Sequence, residues 1–131
     1  MWRRLFDKEK GGEADMLFIC YPKCSTCQKA KKWLDEYNIE YTERHIVEDN
    51  PTYDELKKWY VTSGLPLKKF FNTSGLLYKE MNLKDKLSNM SEKEQLELLA
   101  TNGMLVKRPL IVIGDAVLVG FKETEWIEKL N

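Results

Sequence analysis

The chain has 131 residues, enough for one domain with a real core, and its 21 basic and 21 acidic side chains cancel to a formal net charge of zero. That balance argues against a nucleic-acid or anionic-membrane surface as the main business of the molecule. No apolar run approaches the ~18 residues a spanning helix needs, so no membrane partner is expected. The start, Met1-Trp2-Arg3-Arg4-Leu5-Phe6, turns charged at once and lacks the apolar stretch of a signal peptide. Three cysteines without an export signal point to a reducing cytoplasm. There, cysteine pairs are more often catalytic or metal-binding than structural.

Residues 1–15 are polar, carry Gly11-Gly12, and are expected to form a mobile extension before a domain spanning 16–131. Leu17 to Tyr21 is a continuous apolar run, the pattern of a strand buried on both faces, and Pro22 ends it. A helix follows, with Cys27, Ala30, Leu34 and Tyr37 at helical spacing among charged neighbours, and Ser25 and Thr26 as capping residues. Cys24 then stands at or just before the helix N-terminus, where free N–H groups and the dipole favour a thiolate. The adjacent Lys23 adds positive charge. Cys27 lies one turn on, within disulfide reach of Cys24.

Asn38 stops the helix, and Ile39 to Ile46 is expected as a second strand, completing a βαβ unit with a parallel pair. Residues 49–103 read as helical. Asn50-Pro51-Thr52 opens one helix through Leu56 and Trp59 that Ser63-Gly64 closes. Leu67 to Phe71 reads as an apolar turn, 72–75 as a loop, and Leu83 to Leu87 as a short helix. Ser91-Glu92-Lys93-Glu94 is a capping box for a helix that Gly103 stops. Leu110 to Ile113 and Ala116 to Val119 flank Gly114-Asp115, a type II′ hairpin signature. Glu123 to Leu130 forms the last helix.

Two further patterns stand in the sequence. Cys20-x3-Cys24-x2-Cys27 has the spacing of a radical S-adenosylmethionine iron–sulfur motif. That chemistry belongs to a much longer barrel, however, and Cys20 falls inside a strand, where it is simplest as a buried residue. A zinc site of the three cysteines and His45 is set aside as well, so no metal is expected. His45 itself is expected at a surface or strand edge.

The order βαβ, helical insertion, ββα, with Cys-x-x-Cys at the first helix start and a proline opening the third strand, resembles the α/β thioredoxin-like fold with a mixed four-stranded sheet. The closer resemblance is to the arsenate-reductase-like (ArsC/Spx) family, in its Cys-x-x-Cys branch. Residues 21–34, Phe71-Asn72-Thr73-Ser74-Gly75, Lys107-Arg108-Pro109-Leu110 and Val119-Gly120-Phe121 carry it. The resemblance implies that Cys24 is the nucleophile and that Arg108 faces a bound oxyanion. It also implies that Pro109 is the cis-proline beside the active cysteine. Gln28 stands where the family commonly has an arginine. Of the four arginines (Arg3, Arg4, Arg44 and Arg108), two lie in the expected extension.

The implied chemistry is thiol–disulfide exchange. Cys24 attacks a small oxyanion or disulfide substrate, Cys27 resolves the intermediate, and a Cys24–Cys27 disulfide remains. No cofactor is expected beyond an external thiol reductant: thioredoxin, glutaredoxin or a low-molecular-weight thiol. The alternative is an Spx-like redox-sensing regulator that binds the RNA polymerase α subunit. Spx-like regulators carry a basic extension after the last helix, whereas this sequence ends at Asn131. The enzyme reading is therefore the expectation.

Overall fold

The computed structural model describes residues 16–130. The expected extension over 1–15 lies outside the described residues. By the density of contacts the chain divides into two compact units, one ending at Arg44 and resuming at Arg108, the other spanning His45–Lys107.

The first unit holds the sheet. Strands β1 (Leu17–Cys20), β2 (Thr42–His45), β3 (Leu110–Ile113) and β4 (Ala116–Val119) lie in the order β2-β1-β3-β4. The β1–β3 and β3–β4 pairs are antiparallel, with Phe18 opposite Ile111 and Leu110 opposite Val119. The sheet is mixed and the fold is thioredoxin-like, as the resemblance implies. Helix α1 (Ser25–Glu36) connects β1 to β2.

Strand alternation sends Phe18, Cys20, Ile111, Ile113 and Leu118 to one face of the sheet. They pack there with Cys27, Ala30, Trp33 and Leu34 of α1, and with Trp126 and Leu130 of the last helix, Glu123–Leu130. Tyr37, expected on the apolar face of α1, is instead 44% exposed, and its ring lies 4.4 Å from that of Trp33. Periodicity alone would put residue 37 on that face, but the helix ends at Glu36 and Tyr37 is its C-cap, so Trp33 is the last aromatic that the helix turns inward. Asn38, at φ +56°, ends the helix in the left-handed conformation that asparagine tolerates. Strand β2 is half as long as the expected run, because only Thr42–His45 finds a ladder. At the hairpin Gly114 has φ +55° and Asp115 is not left-handed, which fits type II′ and excludes type I′.

The second unit is helical: α2 (Tyr53–Ser63), α3 (Leu76–Glu80), α4 (Leu83–Lys86) and α5 (Glu92–Thr101), with 3-10 turns at Leu67–Phe70, Leu87–Asn89 and Gly103–Leu105. Thr52 and Ser91 form full capping boxes with Glu55 and Glu94, as the patterns predict. Helix α3 follows the 72–75 loop where the sequence reading had no element. Gly103 does not stop α5, which ends at Thr101 with Asn102 as its C-cap. It is a point of close approach: a Cβ there would collide with the Ile46 carbonyl. Among the described residues no helix is long and apolar enough to cross a membrane. The last helix becomes α6 in chain order.

Candidate active site

The site begins as a backbone turn. The Cys24 amide donates to the Tyr21 carbonyl at 2.9 Å, and the Gln28 amide donates to the Cys24 carbonyl at 3.0 Å as the first helical bond. Cys24 is therefore the N-cap of α1, with extended backbone at φ −88° and ψ 123°. The amides of Ser25, Thr26 and Cys27 have no carbonyl one turn back, and no acidic residue occupies the first turn. The positive end of the helix thus opens beneath a sulfur.

Ser25 and Thr26 are not caps, contrary to expectation. Both are exposed and already helical, and the cap makes no side-chain hydrogen bond. The bond to Tyr21 closes the turn one residue earlier than a hydroxyl cap would require. The Gln28 side chain donates to the Pro22 carbonyl at 2.9 Å, so the residue replacing the family's common arginine ties the helix to the turn. Lys23 lies exposed within that turn.

All three cysteines are free thiols. Cys24 is half-buried, whereas Cys27 is 2% exposed and accepts a hydrogen bond from the Tyr21 amide at 3.3 Å. A hydrogen bond with the Cys20 thiol and burial among apolar side chains together push the Cys27 thiol far above the ordinary range. The Tyr21 amide and a hydrogen bond with Cys24 offset part of that shift. The two cysteines of the motif stand one helical turn apart, Cys24 half-buried at the cap and Cys27 sealed with its thiol pushed up.

Arg108 begins the return of the chain to the sheet. Its peptide bond to Pro109 is cis, the form expected from the resemblance. Pro109 is buried, and its carbonyl accepts from the Gly120 amide at 2.8 Å. The Arg108 guanidinium carbon lies 5.0 Å from the centre of the Tyr21 ring, in a cation–π position, and its Nη1 is buried with no hydrogen-bond partner. A guanidinium with an unused donor is well suited to an anion. Tyr21 connects the parts: its amide reaches Cys27 and its ring lies by Arg108.

His45 is not part of this cluster. Its Nδ1 accepts from the Val47 and Glu48 amides, both at 3.1 Å, and so folds the chain after β2. The sequence reading missed Glu43. Its Oε2 accepts a hydrogen bond from the Cys20 thiol at 3.4 Å, and its Oε1 pairs with Lys31 Nζ at 3.0 Å. The surface cleft lined by Lys29, Lys32, Trp33, Glu36, Phe121 and Glu123 includes none of the cysteines. Cys24 is presented at the helix end.

A model of the ArsC family matches residues 20–129. The chain belongs to the ArsC family. Within it the chain is 60% identical over 113 residues to the uncharacterized protein YusI of Bacillus subtilis (strain 168), covering 86% of this chain and 96% of that one. It is 31% identical over 116 residues to the regulatory protein MgsR of the same organism, covering 88% and 90%. The crystal structure of a possible arsenate reductase from Streptococcus mutans UA159 superposes with a TM-score of 0.82 at 42% identity, covering 88% of this ArsC-family chain and 99% of that one. Enzyme-like and regulator relatives therefore flank the same scaffold.

Proposed function

We propose that this protein is a small thiol–disulfide oxidoreductase of the arsenate-reductase-like kind, acting in the reducing cytoplasm, with Cys24 as nucleophile and Cys27 as resolving thiol. The observation that carries this reading is the asymmetry of two sulfurs one turn apart at a helix start: Cys24 half-buried at the cap, Cys27 sealed from solvent with its thiol pushed up. Cys24 thiolate attacks one sulfur of a disulfide, expels a thiolate and forms a mixed disulfide. Cys27 loses its proton, attacks Cys24 and expels the second thiol. The substrate gains two electrons, and the protein keeps a Cys24–Cys27 disulfide that an external thiol reductant reopens. Arg108, with its unpartnered Nη1, offers the charge that would orient an anionic substrate, arsenate included.

A turnover assay with a thiol reductant tests this reading on arsenate and on a small disulfide. Wild type turns over the disulfide, Cys24→Ser does not, and Cys27→Ser accumulates a mixed disulfide visible by mass. Similarity to MgsR favours a second reading, in which the same disulfide is a signal and the RNA polymerase α subunit is the partner. Wild type that reduces neither substrate yet binds that subunit in a pull-down carries the regulatory reading instead.

A further inference from the structure

The backbone and the side chain of Tyr21 do separate things. Its carbonyl accepts from the Cys24 amide at 2.9 Å, and its amide donates to Cys27 Sγ at 3.3 Å. Those bonds belong to peptide groups and do not depend on which side chain the residue carries. The ring serves a different partner: the Arg108 guanidinium carbon lies over it, 5.0 Å from its centre. Both residues are half-buried, and Arg108 Nη1 is buried with no hydrogen-bond partner. One residue therefore joins the turn that presents Cys24 to the cation that faces it across the ring.

The kind of contact matters. An arginine side chain is long, and holding it in one rotamer costs entropy. A carboxylate would hold it well, but would cancel its charge and occupy its fork of donors. The negative face of an aromatic ring attracts the same cation without accepting any N–H bond. The charge stays uncompensated, and a buried charged donor without a partner gains most from an arriving anion. That gain is needed here, because an anionic disulfide approaches the Cys24 thiolate against like-charge repulsion. Resting on the function proposed above, we infer that Tyr21 is a positioning residue that selects anionic substrates: its ring fixes the Arg108 guanidinium beside the Cys24 turn with Nη1 left uncommitted. The class of substrate it favours is a disulfide that carries a carboxylate.

Two chromogenic disulfides test this. 5,5′-Dithiobis(2-nitrobenzoate) has a carboxylate on each ring, and 4,4′-dithiodipyridine is uncharged at neutral pH. With either, Cys24 thiolate bonds to one sulfur as the S–S bond breaks, and a coloured thiolate leaves with the electron pair. The first-release rates give a ratio, anionic over uncharged, in which a change common to both cancels. Tyr21→Leu is expected to lower that ratio about tenfold, between the worth of an exposed and of a desolvated cation–π contact. Tyr21→Phe keeps the ring and is expected to keep the ratio. Arg108→Gln lowers the ratio too, and adding Tyr21→Leu to it lowers the ratio no further, since the ring acts through the guanidinium. Tyr21→Leu also changes shape, so the ring is varied in place as well. Phenylalanine bearing successive ring fluorines at position 21 keeps the outline but removes negative charge from the face, and the ratio should fall stepwise.

A ratio unchanged in Tyr21→Leu, or flat across the fluorinated series, overturns the role of Tyr21 and leaves the thiol chemistry standing. Equal slowing with both disulfides gives such an unchanged ratio and means a merely structural ring. A further fall when Tyr21→Leu is added to Arg108→Gln also overturns it, because the ring would then act without the guanidinium. If wild type releases no coloured thiolate from either disulfide, or Cys24→Ser releases it at the wild-type rate, the oxidoreductase reading fails and this inference falls with it.

Discussion

At the scale of single residues, this protein's chemistry depends on two sulfurs of unequal exposure. Cys24 caps a helix, and Cys27 is buried one turn below it with its thiol pushed well above the usual value of ~8.5. Only the thiolate is alkylated, so a raised value makes Cys27 slow at neutral pH and keeps its rate climbing where a free thiol has levelled off. In Cys24→Ser, the rate of iodoacetamide labelling at Cys27, followed by mass, should still be rising at about pH 10. A plateau near the free-thiol value would remove the asymmetry on which the mechanism rests.

At the scale of elements, two glycines show different physical causes behind one residue type. Gly64 caps α2 at φ +69° with open space around its Cα, so only backbone strain resists a side chain there. Gly103 has room for no Cβ at all, because the Ile46 carbonyl occupies it. Gly64→Ala is expected to cost about 1 kcal/mol, and Gly103→Ala about 3 kcal/mol. Urea unfolding measures both, and a Gly103→Ala loss as small as that of Gly64→Ala would contradict the close approach. From sequence, both glycines read as helix stops. Only the first is one, since which backbone comes alongside Gly103 is decided 57 residues earlier, at Ile46. The capping boxes at Thr52 and Ser91 were legible because each closes within four residues.

At the scale of the whole molecule, the α/β unit is organised around Trp126, which is fully buried against Phe121 and Trp33 at ring distances of 4.6 and 5.6 Å. Its deletion leaves a cavity that two edge-on aromatic rings cannot collapse to fill. Trp126→Ala should therefore lower unfolding free energy by about 4 kcal/mol, with loss of near-ultraviolet dichroism reporting the aromatic packing. A loss under about 1 kcal/mol would mean that the site is not close-packed.

The sequence by itself determined what short-range physics controls. It set Cys24 at a helix start with Cys27 one turn on, a glycine-first hairpin, two reciprocal caps, and the order of elements that marks the fold. Tertiary structure decided what depends on neighbours distant in the chain. Tyr37 fell outside the helix as its C-cap, β2 kept only the residues that found a ladder, and Ser25 and Thr26 lost the cap to Cys24, whose amide donates to the Tyr21 carbonyl. Glu43 came beside Cys20 across 23 residues because β1 and β2 are neighbours in the sheet. A carboxylate on a short polar strand carries no local sign of such a partner, and only the pairing of strands creates one.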